Sequence, residues 1–224
     1  KLIRVLTHEI MNSITPVASL TSTLSLMVKD TKEEHDGKLD EESTEEIQKA
    51  LNTIHKRSEG LLHFVNTYRN LTKIPKPNFE SVKAKELFDD IKPLMEKDLV
   101  KNNIRFVTKV DPEYLEFYAD HKLIEQVLIN LITNAIHALE ERRDGRIDLK
   151  AFRSKRGRPT IQVTDNGQGI LQDVLDKIFI PFFTTKPKGS GIGLSLSKQI
   201  MRLHGGSITA KSEPEEGTTF TLTF

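Results

Sequence analysis

His8 and Glu9 stand side by side near the start of the chain, and Asn12 follows four residues after the histidine. A neutral imidazole has one nucleophilic nitrogen. A carboxylate that accepts the other nitrogen's proton fixes the tautomer and stabilises the imidazolium formed on attack. An amide one helical turn further on lies on the same face and can position a water there. The trio suits a histidine that accepts a phosphoryl group. Taken alone it also describes an ordinary solvated helix face.

Three more constellations bear chemistry. Gln126, Asn130, Asn134 and His137 recur at helical spacing opposite an apolar stripe. A solvated face normally carries charge, so amides there suit ligand contacts, although a plain polar face fits the spacing equally well. Asn134 can offer its carbonyl oxygen to Mg2+, which prefers hard oxygen ligands, and His137 stands where it can touch phosphate. The second is Asp165-Asn166-Gly167-Gln168-Gly169-Ile170. Ile161 and Val163 alternate inward ahead of it, so the Asp165 carboxylate points into the core, where it needs a partner. It can accept a hydrogen bond from an exocyclic amine such as that of adenine, or it can cap the turn. Gly167 and Gly169 let the backbone turn sharply and a ligand approach. The third runs from Ile178 through Phe182, Thr185 and Lys186 to Gly189-Ser190-Gly191-Ile192-Gly193-Leu194. Glycines opening a helix present N–H groups and a positive dipole end to phosphate, and Lys186 can reach the same anion. No Gly-Lys-Ser/Thr follows at Walker spacing.

These groups need two kinds of scaffold. Residues 2–28 place Ile3, Leu6, Ile10, Val17, Leu20, Leu24 and Met27 in a 3-4 alternation that only Ser13 breaks, the seam of a coiled coil or bundle. On this heptad His8 is farthest from the seam, facing solvent. Pro16 should bend the helix. A polar connection is expected over residues 29–43, containing His35, Asp36 and Gly37. Ser43 or Thr44, followed by Glu46, can then cap a second helix with Ile47, Leu51, Ile54, Ser58, Leu61, Val65 and Tyr68 on its seam. Two such helices form an antiparallel hairpin. A second copy completing a four-helix bundle would cover its remaining apolar surface; packing on the rest of the chain is the alternative.

Pro75 and Pro77 end the second helix, which places a linker over residues 74–79 between a 1–73 hairpin and an 80–224 domain. Beyond it helices are expected over 84–100, 121–142 and up to His204, stopped by Gly205 and Gly206. Strands are expected over 104–110, 115–119, 147–152, 160–164, 207–211 and 218–224. Interleaved helices and strands give an α/β sandwich, a mixed sheet with helices on one face. The fold class is therefore α plus α/β.

Composition narrows the function classes. Lys plus Arg number 33 against 32 Asp plus Glu, a net charge of +1, so no basic field argues for nucleic acid. The absence of cysteine removes disulfides, thiolate metal sites and thiol nucleophiles. No apolar run is long enough to cross a bilayer and no signal peptide opens the chain. The chain starts within a periodic helix without a start methionine, which reads as a piece of a longer protein.

The order of these motifs resembles the transmitter core of two-component sensor histidine kinases from end to end. His8-Glu9-Ile10-Met11-Asn12 is similar to the histidine box, closest in character to the nitrogen-regulation class. Asn130 through Asn134 resembles the asparagine box, Asp165 to Gly169 the first glycine box, Phe179 to Lys186 the phenylalanine box, and Gly189 to Gly193 the second glycine box. The resemblance implies a Bergerat-type ATP-binding fold with residues 166–190 as a mobile lid. It implies catalytic roles for His8, Glu9 and Asn12, Glu9 pairing with His8 and Asn12 aiding a phosphatase activity. It implies ATP contacts from Asn130, Asn134, His137, Asp165, Gly167, Gly169, Phe182, Thr185, Lys186, Gly189, Gly191, Gly193 and Leu194, with Mg2+ at Asn134. It further implies a cytoplasmic homodimer that passes its phosphoryl group to an aspartate of a response-regulator receiver domain, with no membrane contact by this fragment, although the parent protein can be membrane-anchored.

Two departures stand out. Ser13 occupies the place five residues after the histidine where many members have proline, and His137 replaces a common Lys or Arg. Of the rival readings, a clamp ATPase of the same fold uses a carboxylate one turn before the Mg2+-binding asparagine. Asn130 stands there and cannot act as a base. A non-catalytic dimeric scaffold is the other.

Overall fold

The computed structural model describes the backbone of residues 2–34, 41–72, 74–186 and 189–224. Within these, the side chains of residues 2–9, 30–34, 41–42, 63, 66–68 and 70–72 lie outside the description. The expected outward placement of His8 and Glu9, the seam positions Ile3, Leu6 and Tyr68, and the His35-Asp36-Gly37 connection therefore lie outside the described residues. The chain divides into two compact units, Lys1–Thr72 and Lys73–Phe224.

The first unit is a pair of helices, α1 (Leu2–Glu34) and α2 (Glu41–Thr72), packed on one another. α1 continues through Pro16 and extends past the expected end near residue 28, because Lys29 to Glu34 contain no glycine or proline to stop it. α2 opens at Glu41, ahead of the expected cap, so Ser43 and Thr44 stand inside the helix rather than at its start. Ile10, Ser13, Val17, Leu20, Leu24 and Met27 are half-buried as the heptad requires. On α2 the half-buried positions are Ser43, Ile47, Ala50, Ile54, Ser58, Leu61 and Phe64. Leu51 and Val65, expected on this seam, are 53% and 47% exposed. One partner helix covers a narrow stripe, and these two stand a residue's rotation outside it. No described residue of this unit is fully buried.

The second unit holds β1 (Glu80–Lys83), α3 (Ala84–Lys101), β2 (Arg105–Asp111), β3 (Glu116–Ala119), α4 (His121–Ala138), β4 (Arg146–Arg153), β5 (Pro159–Asp165), α5 (Gln172–Leu175), α6 (Gly193–Leu203), β6 (Ser207–Glu213) and β7 (Gly217–Thr223). Five strands form a mixed sheet in the order β2-β4-β5-β7-β6, with only β2 and β4 parallel. Helices α3, α4 and α6 pack against it, and Leu87, Ile91, Ile124, Leu128, Leu131, Leu149, Ile161 and Leu222 fill the layer between. β1 pairs antiparallel with β3 in a separate ribbon that the sequence did not reveal. Its four residues carry a single buried apolar side chain, Val82, which is too little for a periodic signal.

α4 is capped by Asp120, whose Oδ1 accepts the Leu123 N–H at 3.0 Å. It ends at Ala138 rather than at residue 142. The Ala138 carbonyl accepts the Gln168 N–H at 3.2 Å, and Leu139 and Arg142 turn away through short backbone bonds. α6 stops where Gly205 takes a φ of 67°. Among the described residues, no helix is long and apolar enough to cross a membrane.

Candidate functional site

A cavity of about 470 Å³ opens between α4, the loop after β5 and the turn into α6. Asp165 sits 4% exposed on its wall, at the end of β5. Its Oδ1 accepts the Gly167 N–H at 2.9 Å, so the residue also caps the turn that follows. Burial pushes the carboxyl up to about 6, against the lowering effect of backbone N–H bonds from Gly167 and Thr218 and of the Lys186 charge. A buried acceptor on an apolar wall is the arrangement that recognises an exocyclic amine. Ile170, Val174, Ile178 and Phe220 supply apolar wall around it.

Asn130, Asn134 and His137 bring the amide stripe of α4 to the cavity, while Gln126 lies on a smaller cavity between α4 and α6. The Asn130 amide donates to the buried Ser197 Oγ at 3.0 Å, which ties α4 to α6. A Cβ on Gly193 would lie 2.0 Å from Asn130 Oδ1, so a larger residue where α6 begins has to displace the Asn130 amide. Lys186 Nζ donates to Asn134 Oδ1 at 3.2 Å. Burial lowers the Lys186 pKa, partly offset by Glu140 and Asp165. Asn134 thus already directs an amide oxygen at a cation, which is the hard donor a Mg2+ site requires. Among the described residues no group of His, Asp and Glu could hold a metal by itself. Any ion here would share its ligands with phosphate.

Thr185, Gly189, Gly191 and Leu194 also line the cavity, as does Gly169. Gly169 and Gly191 have φ of 70° and 66°, and a Cβ on Gly169 would lie 2.2 Å from the Glu213 carbonyl oxygen. Two expected contact residues do not reach the cavity wall. Gly167 is buried against Ala138, where a Cβ would meet its carbonyl oxygen at 2.6 Å. Phe182 has a φ of 66° and gives its N–H to the Gly191 carbonyl at 2.8 Å, while the neighbouring Phe183 lines the cavity. The sequence also did not single out Thr218 or Phe220 as cavity residues; they become walls because β7 lies beside β5.

Several residues of the span 166–190, where a lid is expected, contact the rest of the unit. Asn166 accepts the Arg146 N–H at 2.7 Å, Ile170 N–H donates to Ser212 Oγ at 2.8 Å, and Ile178 is buried. The Phe182–Gly191 bond closes the base of the segment that carries Thr184, Thr185 and Lys186 to the cavity. His8, Glu9 and Asn12 belong to the other compact unit.

Fold and cavity together define an α/β-sandwich nucleotide-binding domain, with an amine acceptor at one end and amides, a lysine and a helix start at the other. Residues 119–224 match the family described as histidine kinase-, DNA gyrase B-, and HSP90-like ATPase. The chain is 30% identical over 215 residues to the signal transduction histidine-protein kinase AtoS of Escherichia coli, covering 96% of this chain and 33% of AtoS. It is 34% identical over 167 residues to the sensor histidine kinase ZraS of Salmonella typhimurium, covering 75% of this chain and 36% of ZraS. The solved catalytic domain of the histidine kinase ThkA superposes with a TM-score of 0.59 at 34% identity, covering 66% of this chain and 97% of that domain. ThkA in complex with the response regulator protein TrrA gives a TM-score of 0.65 at 29% identity, covering all of this chain and 60% of ThkA. The chain belongs to the sensor histidine kinases. It spans about a third of the length of the curated relatives it matches.

Proposed function

We propose that this chain is a transmitter core that moves the γ-phosphoryl group of ATP onto His8 and then to an aspartate of a response regulator, which it also dephosphorylates. The observation that carries the reading is the cavity, where the buried Asp165 carboxylate and the cation-directed Asn134 oxygen face the same space. Asp165 accepts the adenine amine. Asn130, His137, Lys186 and the N–H groups at Gly189, Gly191 and Gly193 serve the phosphates, with Thr185 and Leu194 beside them. Asn134 would hold Mg2+, which would neutralise charge on the phosphates. Gly167 and Phe182 act through shape, fixing the Asp165 turn and the base of the loop.

In the transfer an imidazole nitrogen of His8 forms the N–P bond as the bond from the γ-phosphorus to the bridging oxygen breaks and ADP leaves. The proton stays on the other ring nitrogen, beside the carboxylate that Glu9 supplies. Asn12 positions water for removal of phosphate from the regulator. Little covalent chemistry is asked of the protein beyond position and charge. Asn130 has no carboxylate, so nothing at that position activates water against ATP, which favours transfer over hydrolysis. The ThkA–TrrA complex supports a receiver domain as the acceptor. The hairpin dimerises as a four-helix bundle, since Met11, Ile14, Leu51, Leu62 and Val65 remain exposed.

Incubation with γ-labelled ATP and Mg2+ tests the reading. Acid-labile, alkali-stable label on the wild type and none on His8→Gln is expected. Phosphate release without label, equal in the two proteins, would replace it with an ATPase.

A further inference from the structure

The segment entering β1 is held by the ATP-binding unit at more points than a tether needs. Ile74 packs half-buried against that unit's core. The Asn78 N–H donates to Asp120 Oδ2 at 2.7 Å. Phe79 stacks on Tyr118 with centroids 5.6 Å apart and meets the His204 ring edge-on at 5.1 Å.

Asp120 and His204 connect these contacts to the two helices that carry the nucleotide site. Asp120 gives its other oxygen to the first turn of α4, and its own N–H donates to His204 Nε2 at 3.0 Å. Nε2 is thereby an acceptor, so Nδ1 carries the proton and donates to the Ile200 carbonyl of α6 at 2.8 Å. Burial raises the Asp120 carboxyl, but the N–H bonds from Asn78 and Leu123 outweigh it and hold the pKa below the ordinary carboxylate range. Asn134 and His137 lie toward the other end of α4, and Gly193 lies at the other end of α6.

We propose that Asp120 and His204 form a clasp that makes Ile74–Phe79 part of the ATP-binding unit, and that both are positioning residues for phosphoryl transfer. The positioning role rests on the reading that ATP phosphorylates His8. A clasped segment shortens the free chain between α2 and the nucleotide site. It thereby raises the effective concentration of one reactant at the other and restricts its orientation. Without the clasp the free chain runs on to β1. Neither residue lines the cavity, so nucleotide affinity should be independent of the clasp.

The test uses the whole chain with Asp120→Asn and His204→Phe. The first keeps shape but places an NH2 where one of two N–H donors needs an oxygen. The second keeps a ring for Phe79 but removes the acceptor for Asp120. Both variants should speed hydrogen exchange at the Asn78 amide about tenfold or more. They should also slow single-turnover labelling at saturating ATP by about tenfold while ATP affinity stays within about twofold. Unchanged exchange would overturn the clasp. Faster exchange with unchanged labelling, or affinity falling in step with the rate, would overturn the positioning role. A wild type that takes no label would sink the kinase reading and the positioning role with it, while the exchange measurement would still decide whether the segment is clasped.

Discussion

Burial disfavours the charge on the carboxylate of Asp165. Its carboxyl is raised by burial to about 6, so its protonated form is favoured in the fold relative to an unfolded chain. The contribution to stability is full below the ordinary carboxylate pKa near 4 and is lost as pH rises through 6, a swing of about 3 kcal/mol. Nucleotide binding has the opposite sign, because an amine needs the ionised acceptor. ATP affinity should fall about tenfold for each pH unit below 6, read by nucleotide titration between pH 5 and 8. Asp165→Asn should weaken ATP by about ten- to a hundredfold at pH 7.5 and flatten this pH dependence. A variant retaining the wild-type slope would assign the titration to another group. The sequence showed that this carboxylate points inward, from the alternation of Ile161 and Val163. It could not show that Thr218 would add a second N–H to it, because that contact depends on β7 pairing with β5.

At the scale of elements, the base of the loop over the cavity is closed by a backbone pair, Phe182 with Gly191. Phe182 and Gly191 both sit at a φ of 66°, and a Cβ on Gly191 would lie 2.5 Å from the Phe182 carbonyl carbon. Gly191→Ala must pry the two strands of the loop base apart, since neither atom is the end of a flexible side chain. ATP affinity should fall by about tenfold or more, while the melting temperature drops only a few degrees because the core helices are untouched. Calorimetry beside nucleotide titration separates the two effects. Equal affinity would mean that the loop base is not needed in the bound state. The glycines were legible in the sequence as a phosphate-binding turn. Their second task, leaving room for Phe182 and Asn130, was not legible, because both contacts arise only when the chain folds back on itself.

At the scale of the whole molecule, the two units solve the burial problem differently. The Lys73–Phe224 unit has a continuous core from Val82 to Leu222. The helical unit has none among its described residues, although its heptads are regular. Leu51 and Val65 are among the apolar positions that one hairpin leaves exposed, with Met11, Ile14, Leu26, Val28 and Leu62. Leu51→Glu with Val65→Glu should convert a dimer to a monomer by light scattering and leave ATP affinity unchanged. A wild type that is monomeric at micromolar concentration would instead remove the four-helix bundle.

The sequence by itself determined the elements and their chemistry. Heptad spacing placed the helical seam, period-two alternation placed β4 and β5, and the amides and glycines marked the phosphate end of the cavity. These are local properties, fixed by side-chain periodicity and by what glycine and proline permit. Tertiary structure alone decided where α4 stops, since the Ala138 carbonyl is claimed by Gln168. It also decided that β1 forms, that Phe182 and Gly191 close the loop base, and that Asp120 and His204 meet across 84 positions of sequence. Each depends on a partner brought near by sheet pairing and helix packing, and no local pattern encodes the address of such a partner.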